Sequence, residues 1–330
     1  MKTLICLMAA ACISSGSYAQ TKGMGNQPSK NPPVKWNALN SVNLADFNSD
    51  LVPGKLTMDV GIYIPSNFDP AFNKLTTEQM LNGVRAAKEI FNPAGVQIKL
   101  VFAKTGKIDP KFLSIQANEM PGVPETEYAN TYEHLRRHPA VLTAQAKAAL
   151  ESIVEPQKDN TRTIYLIALQ DVFYPFTEVA SGRNWTVKSV RTGALSFPGY
   201  SYSSTMPPAL RGVITVSNLS GPLRSRRTIA HELGHKVMNV SHEYMETDPG
   251  HEIFAEGGLM LYGKGEDIPS GRSGRWHLER LLLSPFLYRL GPDGSKQWNA
   301  DYKEGGHYYD PIYGDKVVKF AGKPKIDESW

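Results

Sequence analysis

The run Thr228-Ile229-Ala230-His231-Glu232-Leu233-Gly234-His235 restricts this chain more than any other stretch. Read at the helical period, Ile229, Leu233 and Val237 fall at i, i+4 and i+8 and make one apolar stripe. His231 and His235 fall at i and i+4 on a different face. A helix divided in this way buries its stripe against another layer and turns the histidines to a cleft. The residues just upstream, 211–216 (Arg-Gly-Val-Ile-Thr-Val), read as a strand of that layer. Two imidazoles one turn apart can each give a nitrogen to a single metal ion, and Glu232 is placed to take a proton from a water bound to that ion. The motif is HExxH, and the expected metal is zinc.

The rest of the chain supports one domain that mixes sheet and helix. Strands are expected at 56–64, 96–102 and 163–169, with a short one at 194–196 inside a loop-rich segment, 174–208. Helices are expected at 76–91, at 128–154 with a break at Pro139, at 226–239 and at 276–290. The fold class is therefore α+β, with a twisted mixed sheet, a backing helix, an active-site helix and a C-terminal subdomain beyond the site. With 36 basic residues against 32 acidic ones, the net charge of +4 excludes a broad nucleic-acid surface. No internal run reaches the roughly 20 apolar residues of a membrane span.

Residues 1–19 read as a secretory signal, with Lys2 before a short apolar core and Ser17-Tyr18-Ala19 as the cleavage site. Both cysteines, Cys6 and Cys12, fall inside it, so the mature chain has neither a disulfide nor a cysteine ligand. A secreted or periplasmic location follows. Ala9-Ala10-Ala11-Cys12 loosely resembles a bacterial lipobox without its usual Leu, which leaves a lipid on Cys12 as the alternative. Residues 20–53 read as an extended leader in which Asp46 or Asp50 is a candidate to block the metal, and 54–330 read as the catalytic domain.

Downstream, Gly257-Gly258-Leu259-Met260-Leu261-Tyr262 resembles the Met-turn of the metzincin zinc peptidases, in which a Tyr can follow the Met by two residues. The resemblance covers about 211–262. It implies a methionine packed beneath the metal at Met260 and an oxyanion donor or extra ligand at Tyr262. The family pattern is HExxHxxGxxH; here Met238 stands at the Gly position and Ser241 at the last His, while His242 comes one residue later. Asn tolerates the left-handed angles that end a helix, so Asn239 takes the role of Gly and His242 becomes the third ligand. His242-Glu243-Tyr244 is also similar to the Asp-Glu-Tyr of IgA-peptidase-like metallopeptidases. A competing set exists, because 251–258 resembles the second helix of gluzincins and makes Glu256 the third ligand.

The expectation is an exported zinc endopeptidase acting on proteins or peptides, with His231, His235 and His242 as ligands and Glu232 and Tyr262 as catalytic residues. The alternative in a different class is a secreted zinc-containing binding protein without activity. Arg224, Arg226 and Arg227 read as a solvated basic edge.

Overall fold

The computed structural model describes residues 33–119, 140–156, 162–180, 184–202, 205–240, 258–260, 265, 267–268, 277–278, 280–300, 307–309 and 317–319. Its framework is a twisted mixed sheet with helices packed on both faces. Strands β1 (Asn37–Ala38), β2 (Leu56–Pro65), β3 (Val96–Gly106), β5 (Ile164–Ala168), β8 (Ala194–Ser196) and β9 (Val213–Val216) lie in the order β1-β3-β2-β5-β9-β8. The four central strands run parallel, whereas β1 and β8 close the two ends antiparallel.

The parallel strands are apolar on both faces because both faces are covered. Ile164, Leu166 and Ala168 of β5 join the core under the helices, while Tyr165 and Ile167 join a second core on the opposite face. Helix α1 (Leu44–Phe47) lies near β3, and helix α2 (Thr77–Phe91) follows β2. Thr76 caps α2 by a reciprocal pair of bonds with Gln79. Its buried residues Met80, Val84, Ala87 and Ile90 repeat at helical spacing and pack with Ile229, Leu233 and Val237. Helix α3 (Ala144–Ile153), capped by Thr143, fills the second core through Ala146, Ala149, Leu150 and Ile153. Within the expected helix 128–154, residues 140–143 are non-helical and 128–139 lie outside the described residues.

Three expectations are corrected. The loop-rich segment contains a long hairpin, β6 (Asp171–Ala180) with β7 (Asn184–Thr192), joined to β4 (Ser114–Gln116) in a separate sheet. Pro175 hid it, since proline reads as a breaker; β4 pairs with β6 only over residues 171–173, so at Pro175 the strand is paired with β7 alone, as a proline tolerates. The expected helix 276–290 is helical only as far as residue 283 among its described residues, and Leu287–Leu290 form β10. Pro285 is the cause, because the residue before a proline avoids helical angles. Instead of starting a separate subdomain, β10 pairs antiparallel with β2 and with β11 (Lys296–Trp298), which returns this part of the chain to the main sheet. A last pair, β12 (His307–Tyr309) and β13 (Val317–Lys319), forms its own two-stranded sheet.

From Val34 onward, the segment read as leader is built into the domain. Trp36 packs on Tyr63 with ring centroids 4.8 Å apart and donates to the Ile153 carbonyl at 2.8 Å. The Asn48 amide exchanges two bonds with the Leu100 backbone. Asp46 accepts from the Asn43 side chain, and Asp50 pairs with Lys88 at 2.6 Å, so both candidate blockers are engaged elsewhere. Among the described residues no helix is long and apolar enough to cross a membrane.

Candidate metal centre

The motif helix is α5, with α4 (Gly199–Tyr202) a single turn ahead of it in the chain. Helix α5 spans Pro222–Met238, four residues earlier at its start than the sequence suggested. Pro222 occupies the first turn, where its missing N–H costs nothing. The helix stops because Asn239 adopts φ 54° and ψ 50°, the left-handed conformation expected of it. It is the only non-glycine with positive φ among the described residues.

The turn at Asn239 brings Val240 back against the helix. The Val240 carbonyl then lies 2.7 Å from His235 Nδ1, and the Leu259 carbonyl lies 2.6 Å from His231 Nδ1. A carbonyl only accepts, so the Val240 contact puts the His235 hydrogen on Nδ1 and leaves a lone pair on Nε2. At His231 the shorter contact to the Leu259 carbonyl favours the same tautomer over acceptance from the Arg227 guanidinium at 2.9 Å. The two Nε2 atoms face each other at 3.1 Å, with the rings 80° apart. Lone pairs at that distance repel, and a cation bound by both reverses the sign. Two Zn–N bonds of 2.0–2.1 Å at a tetrahedral angle would separate the nitrogens by about 3.3–3.4 Å. The pair therefore fits one shared zinc ion.

The protonation states agree with that fit. Burial pushes His235 down to about 4 against a partial counter-effect from the Val240 carbonyl, so the ring is neutral at pH 7, as a metal ligand must be. Burial also pushes Glu232 up to about 7, while the Ser196 N–H and the charges of Arg227 and Lys236 pull it back. A carboxyl poised near neutrality suits general-base work. Ser196 ends β8, so the last strand of the sheet supplies the donor that holds the base. Its own hydroxyl is buried and has no hydrogen-bond partner among the described residues.

Met260 is fully buried. Its Sδ lies 2.5 Å from the position a β-carbon on Gly234 would take. Gly234 thus leaves the notch that Met260 fills. His242, Glu256 and Tyr262 lie outside the described residues. Among the described residues no group of three His, Cys, Asp or Glu forms a metal site.

Sequence reasoning missed two residues around this pair. Lys236 is 1% exposed and donates to the Phe197 carbonyl at 2.5 Å and the Arg211 carbonyl at 2.8 Å, strapping α5 to the end of β8 and to the turn before β9. Burial, with the charge of Arg211, holds its ammonium well below the usual range. Arg227 is the second. The arginine cluster is a solvated edge only in part: Arg226 pairs with Glu89 at 3.1 Å, but the Arg227 guanidinium lies 2.9 Å from His231 Nδ1. The available signal was its i, i+4 relation to His231. No protein-family model matches the chain, and none of the curated proteins compared with it matches either.

Proposed function

We propose that the protein is an exported zinc-dependent peptidase of metzincin-like design. The observation that carries this reading is the His231–His235 pair, whose Nε2 atoms face each other at 3.1 Å beside a base pushed up to about 7. His231, His235 and His242 would hold zinc. The left-handed Asn239 supports His242 over Glu256, because Val240, two residues before His242, already touches the His235 ring. When bound, zinc supplies Lewis acidity, which lowers the pKa of water and polarises a peptide carbonyl.

The chain's own groups do the rest. Glu232 accepts the proton of the attacking water and returns it to the leaving amine. Tyr262 is the proposed donor to the developing oxyanion. Strand β8 ends the main sheet beside Glu232, so an extended peptide can add to its outer edge through backbone hydrogen bonds. Export rests on the signal-like residues 1–19, with cleavage near Ala19 or a lipid on Cys12 as its two forms.

The test is Glu232→Gln. The variant should bind zinc as the unaltered chain does and lose peptide hydrolysis by at least about 100-fold, the usual contribution of a general base. Metal analysis and turnover of a peptide library measure both. Retained turnover would remove Glu232 from the mechanism, and a zinc-loaded but inactive unaltered chain would favour the secreted binding protein.

A further inference from the structure

We propose that Arg227 is a positioning residue that clamps the Met-turn to α5 and thereby orients His231. Its Nη2 donates to the Leu259 carbonyl at 3.0 Å and its Nε to the Gly265 carbonyl at 2.6 Å. The Leu259 carbonyl is the acceptor that His231 Nδ1 uses at 2.6 Å. One guanidinium therefore fixes both limbs of the turn and the atom that sets the angle of the His231 ring.

The turn has little slack for another arrangement. Its limbs touch, since Leu259 N–H donates to the Asp267 carbonyl at 2.7 Å and a β-carbon on Gly265 (φ 84°) would run into Gly258. Met260 sits against Gly234. A planar guanidinium reaches two separated carbonyls at once, whereas the ammonium of a lysine sends its donors from a single point. Arg227 lies one helical turn before His231, so the helix itself fixes its place relative to that ring. An outer group that holds a ligand's acceptor in this way commonly changes metal affinity 10–100-fold when lost.

The effect on metal affinity rests on the zinc reading; the clamp itself does not. The experiment compares Arg227→Met, Arg227→Lys and the neighbouring Arg226→Met in the full chain. Zinc affinity is read by chelator competition, and hydrogen exchange of the Leu259 amide is read in metal-free protein. Both Arg227 variants should bind zinc about 10–100-fold more weakly. Both should also exchange the Leu259 amide about tenfold faster or more, since the turn then opens without the rest of the fold. Arg226→Met should leave both readings unchanged. Unchanged zinc affinity or unchanged amide protection in Arg227→Met would overturn the proposal, as would equal effects from Arg226→Met. If Arg227→Met does not fold, Arg227→Lys carries the same comparison. If the unaltered chain binds no zinc, the metal reading has failed and the exchange result alone decides the clamp.

Discussion

Glu232 and His235 are neighbours in the site with opposite proton preferences, and their difference is measurable in metal-free protein. Glu232 is pushed up from an ordinary 4.5 to about 7, so between these values the folded chain holds a proton that the unfolded chain releases, and stability falls as pH rises. His235 is pushed down from 6.5 to about 4, so in that window the unfolded chain holds the extra proton and stability rises with pH. The two slopes nearly cancel. Glu232→Gln removes only the first, so the stability of the unaltered chain relative to the variant should fall by about 3 kcal/mol from pH 4.5 to pH 7. Urea melts of both metal-free proteins across that range test the point; a constant difference would mean that Glu232 is solvated. The identities of His231, Glu232 and His235 were readable from spacing. The values at which Glu232 and His235 titrate were not, because burial by β8 and the 258–260 turn comes from residues distant in sequence.

At the scale of the element, the end of α5 decides where the chain goes after the motif. Asn239 holds left-handed angles that cost a residue with a β-carbon roughly 1–2 kcal/mol. Asn239→Gly should therefore be more stable than Asn239→Ala by on the order of 1 kcal/mol, the reverse of their ranking inside a helix. Thermal melts of the pair read this directly, and a more stable Ala variant would mean that the helix can continue past Met238. The stop was legible because Asn followed by a new pattern is a local signal. The β6–β7 hairpin was not, since its pairing partner is supplied by the opposite strand and Pro175 sits within it. The end of the helix before Pro285 was written in the sequence, but the strand after it depends on the free half-edge of β2 beside residues 56–58.

At the scale of the whole molecule, residues 34–53 behave as part of the domain. Trp36, Asn48 and Asp50 tie them to Tyr63, Leu100 and Lys88, at the β1 end of the sheet and away from the β8 end beside α5. A chain beginning at residue 54 should be less stable than one beginning at residue 33 by about 3 kcal/mol or more, since it loses a packed tryptophan among other contacts. Urea denaturation measures the loss, and peptide turnover should not rise, as it would if the segment were an inhibitor. The sequence by itself determined what is local: the HExxH face and its apolar stripe, the caps of α2, the stop at Asn239 and the strands with continuous apolar runs. Those features follow from backbone angles and from periods of two or 3.6 residues, which neighbouring positions set. Only the tertiary structure decided that Arg227 faces inward, that Lys236 straps β8 to α5, and that the Val240 and Leu259 carbonyls aim two imidazoles at one point. Each is a contact whose favourable energy exists only after distant segments have been brought together and water removed, so no window of sequence can carry it.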